Sequence, residues 1–110
     1  MDRYRKGLWG EGRAALYLTL HGTRIIASRF HTPHGEIDLI GLEGDTLVFV
    51  EVKSRPKGQP GDGLAAVSPR KMACMQYAAQ YYLRSHPHES IRFDVVEITG
   101  AGVRRYQNAF

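Results

Sequence analysis

The chain has 110 residues, 15 Lys and Arg against 11 Asp and Glu, a net charge of +4 and an isoelectric point near 9.5. That length suggests one domain with a thin core; no apolar run is long enough to span a bilayer, no signal-peptide core follows Met1, and the single cysteine, Cys74, excludes an internal disulfide. The expected location is the cytoplasm, and the basic balance favours an anionic partner, nucleic acid first.

Residues 3–21 read as a helix, with Tyr4, Leu8, Ala15 and Leu18 on one face and Gly22 as its stop. Glu11 falls inside that apolar stripe. Residues 24–30 read as a strand, and 35–42 and 46–54 as two more, joined through Glu43-Gly44-Asp45. The stretch 54–63, "SRPKGQPGDG", reads as a mobile loop. A second helix starts at "SPRK", with Ser68 as N-cap and Pro69 in the first helical position, and runs to about Arg84. Met72, Met75, Ala79 and Leu83 give it an apolar face, and Cys74 reads as a small buried hydrophobe on it. Residues 91–99 form a further strand, and Gly100-Ala101-Gly102 turns into a last short segment. The order implies an α/β layer fold, a central mixed sheet flanked by helices.

The hairpin carries the chemistry. Alternation puts Val48, Val50 and Val52 on one face of the later strand and Leu47, Phe49, Glu51 and Lys53 on the other. In the earlier strand Ile37 and Leu39 share a face, as do Glu36, Asp38 and Ile40. A two-residue turn at Gly44-Asp45 sets position 43 opposite 46 and Asp38 opposite Glu51; a three-residue loop would put the two acids on opposite faces. Facing carboxylates with Cβ atoms about 5 Å apart repel unless a cation lies between them.

A divalent cation resolves that repulsion. Mg²⁺ or Mn²⁺ suits Asp38 and Glu51, with the backbone carbonyl of Val52 and Glu11 as further oxygen donors. Lys53 shares the face of Glu51 and is placed to neutralise charge at a phosphate or to hold the attacking water. The group fits metal-dependent phosphodiester hydrolysis. The competing reading is a solvated face in which Asp38 pairs with Lys53 as a salt bridge.

Arg55, Lys57, Arg70 and Lys71 bracket the loop after the hairpin and are candidates for gripping backbone phosphates; Lys71, in the first turn of the second helix, is the best placed. Arg29, just before the hairpin, is a further candidate, read first as a surface arginine. His31, His34, His86 and His88 do not form a spacing that brings them together on zinc. Trp9, Tyr77, Tyr81 and Tyr82 are candidates for stacking bases or for packing. Asp94 reads as a structural partner of Arg92.

"GLWGEGRAALYL" (7–18), "GEIDLI" (35–40), "LVFVEVKSR" (47–55), "AVSPRK" (66–71), "RFDVVEI" (92–98) and "NAF" (108–110) together resemble the YraN-type bacterial proteins, across nearly the whole chain. That family is similar to archaeal Holliday junction resolvases within the restriction-endonuclease-like PD-(D/E)xK superfamily. The resemblance implies a restriction-endonuclease-like α/β fold, with Asp38 and Glu51 as metal-binding acids, Lys53 as the catalytic lysine and Glu11 as the first-helix acid. Ile37-Asp38 stands where the superfamily has Pro-Asp. The resemblance also makes a homodimer an expectation. Three functions follow for testing: a metal-dependent nuclease acting on DNA, a nucleic-acid-binding module that keeps the fold without the activity, and a partner-binding protein without nucleic acid.

Overall fold

The computed structural model of the chain describes residues 3–110, apart from the side chains of residues 3, 4 and 6, so Tyr4 of the expected stripe lies outside the described side chains. The elements run α1 (Arg3–Leu20), β1 (Arg24–Thr32), β2 (Gly35–Glu43), β3 (Thr46–Arg55), α2 (Asp62–Ala65), α3 (Pro69–Leu83), β4 (Ser90–Thr99) and β5 (Gly102–Tyr106). The strands form one sheet in the order β1-β2-β3-β4-β5. Only β3 and β4 run parallel, joined by the crossover that contains α3; the other neighbours are antiparallel. This is an α/β fold with a mixed sheet flanked by helices, consistent with a restriction-endonuclease-like architecture. Among the described residues, no helix is long and apolar enough to cross a membrane.

Strand alternation sorts the core into two layers. Leu39, Val48, Val50 and Val96 pack against Ala14 and Leu18 of α1, while Ile37, Ile40, Leu47 and Phe49 pack against Ala78, Ala79 and Tyr82 of α3. The helix faces differ in detail from the expected ones. In α1, Gly10, Ala14 and Leu18 are buried, one residue in every four, whereas Leu8 is 40% exposed. The buried stripe is small-sided because α1 sits close to the sheet: a Cβ on Gly10 would already touch Ser54, Ile98 and Val52. In α3, Met75 and Ala79 are buried as expected and Leu83 partly so, but Ala78 and Tyr82 join them. Met72 and Cys74 are half-buried; Cys74 is therefore not a fully buried packing residue, since it lies off the inward stripe of α3. Ser68 caps α3 as expected, its side chain accepting the Lys71 N–H at 3.1 Å, with Pro69 next.

One alternation fails. Ile37 and Leu39, expected on one face, lie in opposite core layers. The phase slips at Asp38, beside Arg29 of β1, which adopts φ 50; the β1–β2 register itself is unchanged from Ser28↔Leu39 to Phe30↔Ile37 and shifts only between Ile25 and Ala27. A left-handed residue in one strand and a slipped phase in its neighbour form a local irregularity that turns side chains out of the regular pleat.

The stretch after β3 is a loop over residues 56–61, as expected, and it is tied down at its far end. There α2 begins, and the buried carboxylate of Glu97 on β4 accepts N–H groups from Gly61 (2.8 Å), Gly63 (3.0 Å) and Leu64 (3.4 Å), with the Tyr106 hydroxyl at 2.9 Å. Burial would raise the Glu97 carboxyl, but these donors stabilise its charged form and hold it below the usual carboxylate range. Asp94 pairs with Arg92 as expected, at 2.8 and 2.9 Å, and Arg92 continues to Glu43 at 2.8 Å.

Gly35 opens β2 directly under α3, where an added Cβ would collide with the Cys74 carbonyl. Gly35→Ala is expected to cost about 1–3 kcal/mol, read as a lower urea midpoint at unchanged slope.

Candidate metal and phosphate site at the sheet fork

The turn at Gly44, with φ 58, sets the hairpin register from Glu43↔Thr46 to Leu39↔Val50, as the two-residue turn requires. There the β2–β3 ladder stops. β2 stays with β1 to Gly35, paired with Thr32, and β3 stays with β4 to Arg55, paired with Thr99. The two central strands therefore part, and the sheet opens into a fork. The Val52 N–H, which a continued ladder would give to β2 backbone, donates instead to Asp38 Oδ2 at 2.8 Å. The N–H and C=O of a strand residue point to the same edge, so the Val52 carbonyl also turns into the fork.

A cavity of about 650 Å³ fills the opening, lined by Asp38, Glu51, Val52 and Lys53, by Trp9, Gly10 and Glu11 from α1, and by Lys71 from α3. Glu51 is only 2% exposed. Its Oε2 lies 3.5 Å from Lys71 Nζ and 3.8 Å from Lys53 Nζ. Burial, together with a hydrogen bond to Asp38 and that group's charge, pushes the Glu51 carboxyl up to about 8, and the two lysines only partly offset this. The Glu51 carboxyl is thus held toward its protonated form by its burial and its acidic neighbour. Glu11 is raised as well, by burial and the Asp38 charge, against the pull of Arg29, whose Nε donates to Glu11 Oε2 at 2.9 Å.

The donor set fits a hard divalent cation. Two carboxylates and a backbone carbonyl face one opening, and Mg²⁺ or Mn²⁺ completes its shell with water and substrate oxygens. Among the described residues, no three His, Cys, Asp or Glu side chains gather closely enough to hold a metal by themselves. Glu11 shares the cavity but is engaged by Arg29 and does not complete such a cluster.

The remaining candidates divide by position. Arg55 lines the cavity, although its Nη1 also donates to the Ser54 carbonyl at 2.8 Å. Lys57 and Arg70 are exposed and do not line it. Lys71 reaches the site through its side chain; its amide is already taken by Ser68, so it offers no N–H to a phosphate. Arg29 is an inner partner of Glu11 and not an ordinary surface arginine. The histidines are separated: His31 meets Glu36, His34 meets Tyr77, and His86 stacks on Tyr82. Tyr82 belongs to the core, whereas Trp9 stands in the cavity wall. Sequence reasoning overlooked two roles: Lys71 as a partner of Glu51, and Glu97 as the anchor of the segment after the hairpin. A charged residue in the otherwise apolar run "VVEI" was the available signal for the second.

A sequence model described as "Uncharacterised protein family UPF0102" matches residues 10–98. The chain is 47% identical over 94 residues to a UPF0102 protein of Syntrophomonas wolfei, covering 84% of this chain and 82% of that relative. It is 43% identical over 106 residues to one of Rhodopseudomonas palustris (94% and 77%) and 43% identical over 100 residues to one of Chromohalobacter salexigens (90% and 81%).

The raised Glu51 carboxyl has a consequence for stability. Folding binds a proton at any pH between the ordinary carboxyl value of 4.5 and the folded value of about 8. Stability without metal is therefore expected to fall as pH rises through that window and to be insensitive to this group below it. Glu51→Gln should flatten the slope and raise the melting temperature at pH 8 by about 5 °C or more, measured by circular dichroism in EDTA.

Proposed function

The chain belongs to the uncharacterised protein family UPF0102, and on that premise and the geometry of the fork we propose that it is a metal-dependent nuclease hydrolysing phosphodiester bonds in DNA, with branched or structured DNA as the substrate class. The observation that carries this reading is the meeting of Asp38 and the buried Glu51 in an open cavity that also holds two lysines. The same arrangement supports placing the family in the restriction-endonuclease-like PD-(D/E)xK superfamily, near the archaeal resolvases, with Asp38 and Glu51-Val52-Lys53 as its motif.

Asp38, Glu51 and the Val52 carbonyl would hold Mg²⁺ or Mn²⁺, which when bound supplies Lewis-acid polarisation of the phosphate and an acidified water. The protein's own groups do the rest. The Val52 N–H fixes the Asp38 carboxylate in the fork. Lys53 and Lys71 reach the cavity from a strand and a helix and would offset charge gained by a phosphate bound there. Arg29 orients Glu11 at the α1 wall. Arg55, Lys57 and Arg70 supply sequence-independent contacts to backbone phosphates around the opening. A four-way junction presents two strands for cutting, which a homodimer with two forks would match. The cytoplasm is the working location that this reading proposes.

A second reading, a nucleic-acid-binding module without catalysis, is favoured by one feature: the acids already have cationic neighbours from the chain, Lys53 and Lys71 at Glu51 and Arg29 at Glu11. Labelled single strand, duplex, flap and four-way junction incubated with Mg²⁺ or Mn²⁺ separate the two. The nuclease reading expects cutting that falls by about 100-fold or more in both Asp38→Ala and Lys53→Ala. DNA binding that weakens with salt and survives Asp38→Ala, with no cutting in either metal, supports the second reading.

A further inference from the structure

We propose that Trp9 is a stacking platform for an unpaired nucleobase at the mouth of the fork, so that the site takes single-stranded or frayed nucleic acid; this rests on the nucleic-acid partner proposed above. Trp9 is 48% exposed and stands in the wall of the same cavity as Asp38, Glu51 and Lys53. Gly7 and Gly10, on either side of it in α1, line the cavity without side chains that would crowd the ring. The guanidinium of Arg13, one helical turn on, lies over one face of the ring, 4.8 Å from its centroid, so a base would stack on the opposite face. Such a cation polarises the indole face and adds positive charge where a sugar-phosphate backbone would pass.

Size and charge point to the same occupant. A metal with six waters needs roughly 200 Å³ at about 30 Å³ per water. The cavity, at about 650 Å³, leaves room for more than the ion. Aromatic rings beside cationic grooves hold single strands because every base has a face to stack, whereas a paired base inside a duplex does not offer its face. Leu16 and Leu20 of α1 are also exposed, but they lie seven and eleven residues further on, about 10 and 16 Å along the helix, and do not line the cavity. Position in the cavity wall therefore singles out Trp9 from the other apolar residues of that helix.

Trp9 is the sole tryptophan of the chain, so intrinsic emission reads this position directly. The test titrates the full chain, in EDTA at low salt, with a twelve-residue oligothymidine strand and with a G·C-rich duplex of about twenty base pairs, which stays paired under those conditions. The expected result is saturable quenching by the single strand. Trp9→Ala should weaken single-strand binding by about ten-fold or more, read by anisotropy of labelled strand, and change duplex binding less than about two-fold. Leu16→Ala should leave both unchanged. Circular dichroism checks that each variant is folded. Emission unaltered by bound single strand, or equal loss of single-strand and duplex binding in Trp9→Ala, overturns the proposal. So does a blue shift that depends on protein concentration alone, which would mean a second copy covers the ring. No metal and no cutting enter this measurement: quenching without cleavage in any metal would retain the platform and remove the nuclease, and cleavage without quenching would do the reverse.

Discussion

The hydrogen bond from the Val52 N–H to Asp38 stands where the two central strands stop pairing. Buried backbone groups need partners, and a side chain that takes the place of a ladder bond lets a sheet end without leaving an amide unsatisfied. Because that substitute is a carboxylate, the strand ending also becomes an ionic site. Asp38 is held at the apex of the fork, Glu51 lies across from it on β3, and the charge of one raises the other. The fork, the cavity and the raised Glu51 carboxyl meet at this one substitution of a side chain for backbone.

Such a site is expensive to fold, and the surrounding structure supplies the compensation. Lys53 and Lys71 approach Glu51 from a strand and a helix, and Arg29 holds Glu11. Both helices that wall the site are seated by apolar layers on opposite faces of the sheet. Glycine at position 10 lets α1 approach Ser54 and Val52 closely enough for Trp9 and Glu11 to reach the opening. On the other side, Glu97 pins the segment between β3 and α3 by its amides, so that Lys71 emerges at a fixed place. An uncompensated acidic pair at this depth would be destabilising.

Where a feature depended on neighbours in the chain, it was legible in the sequence. Glu43-Gly44-Asp45 encodes a tight turn, and once the structure shows it to be the two-residue form, the register that brings Asp38 toward Glu51 follows. Ser68-Pro69 encodes the start of α3 for equally local reasons. Other features depended on distant partners. The helix α2 is only four residues long and is held from Glu97, so no periodicity announces it. The buried face of α1 is built around Gly10 and Ala14, whose small side chains carry little hydrophobic signal beside Leu8. The phase slip at Asp38 coincides with the left-handed backbone of Arg29 in the neighbouring strand, which a strand pattern read residue by residue does not contain. Glu11 was legible as an inward acid, but its arginine partner was not, because Arg29 first reads as exposed.

The central claim is that the acids of the fork form a cation site. The most direct test is anomalous diffraction from crystals soaked in Mn²⁺. The account predicts a peak at coordination distance, about 2.1–2.2 Å, from Asp38, Glu51 and the Val52 carbonyl. A fork without a peak, with Glu51 still held between Lys53 and Lys71, would contradict it.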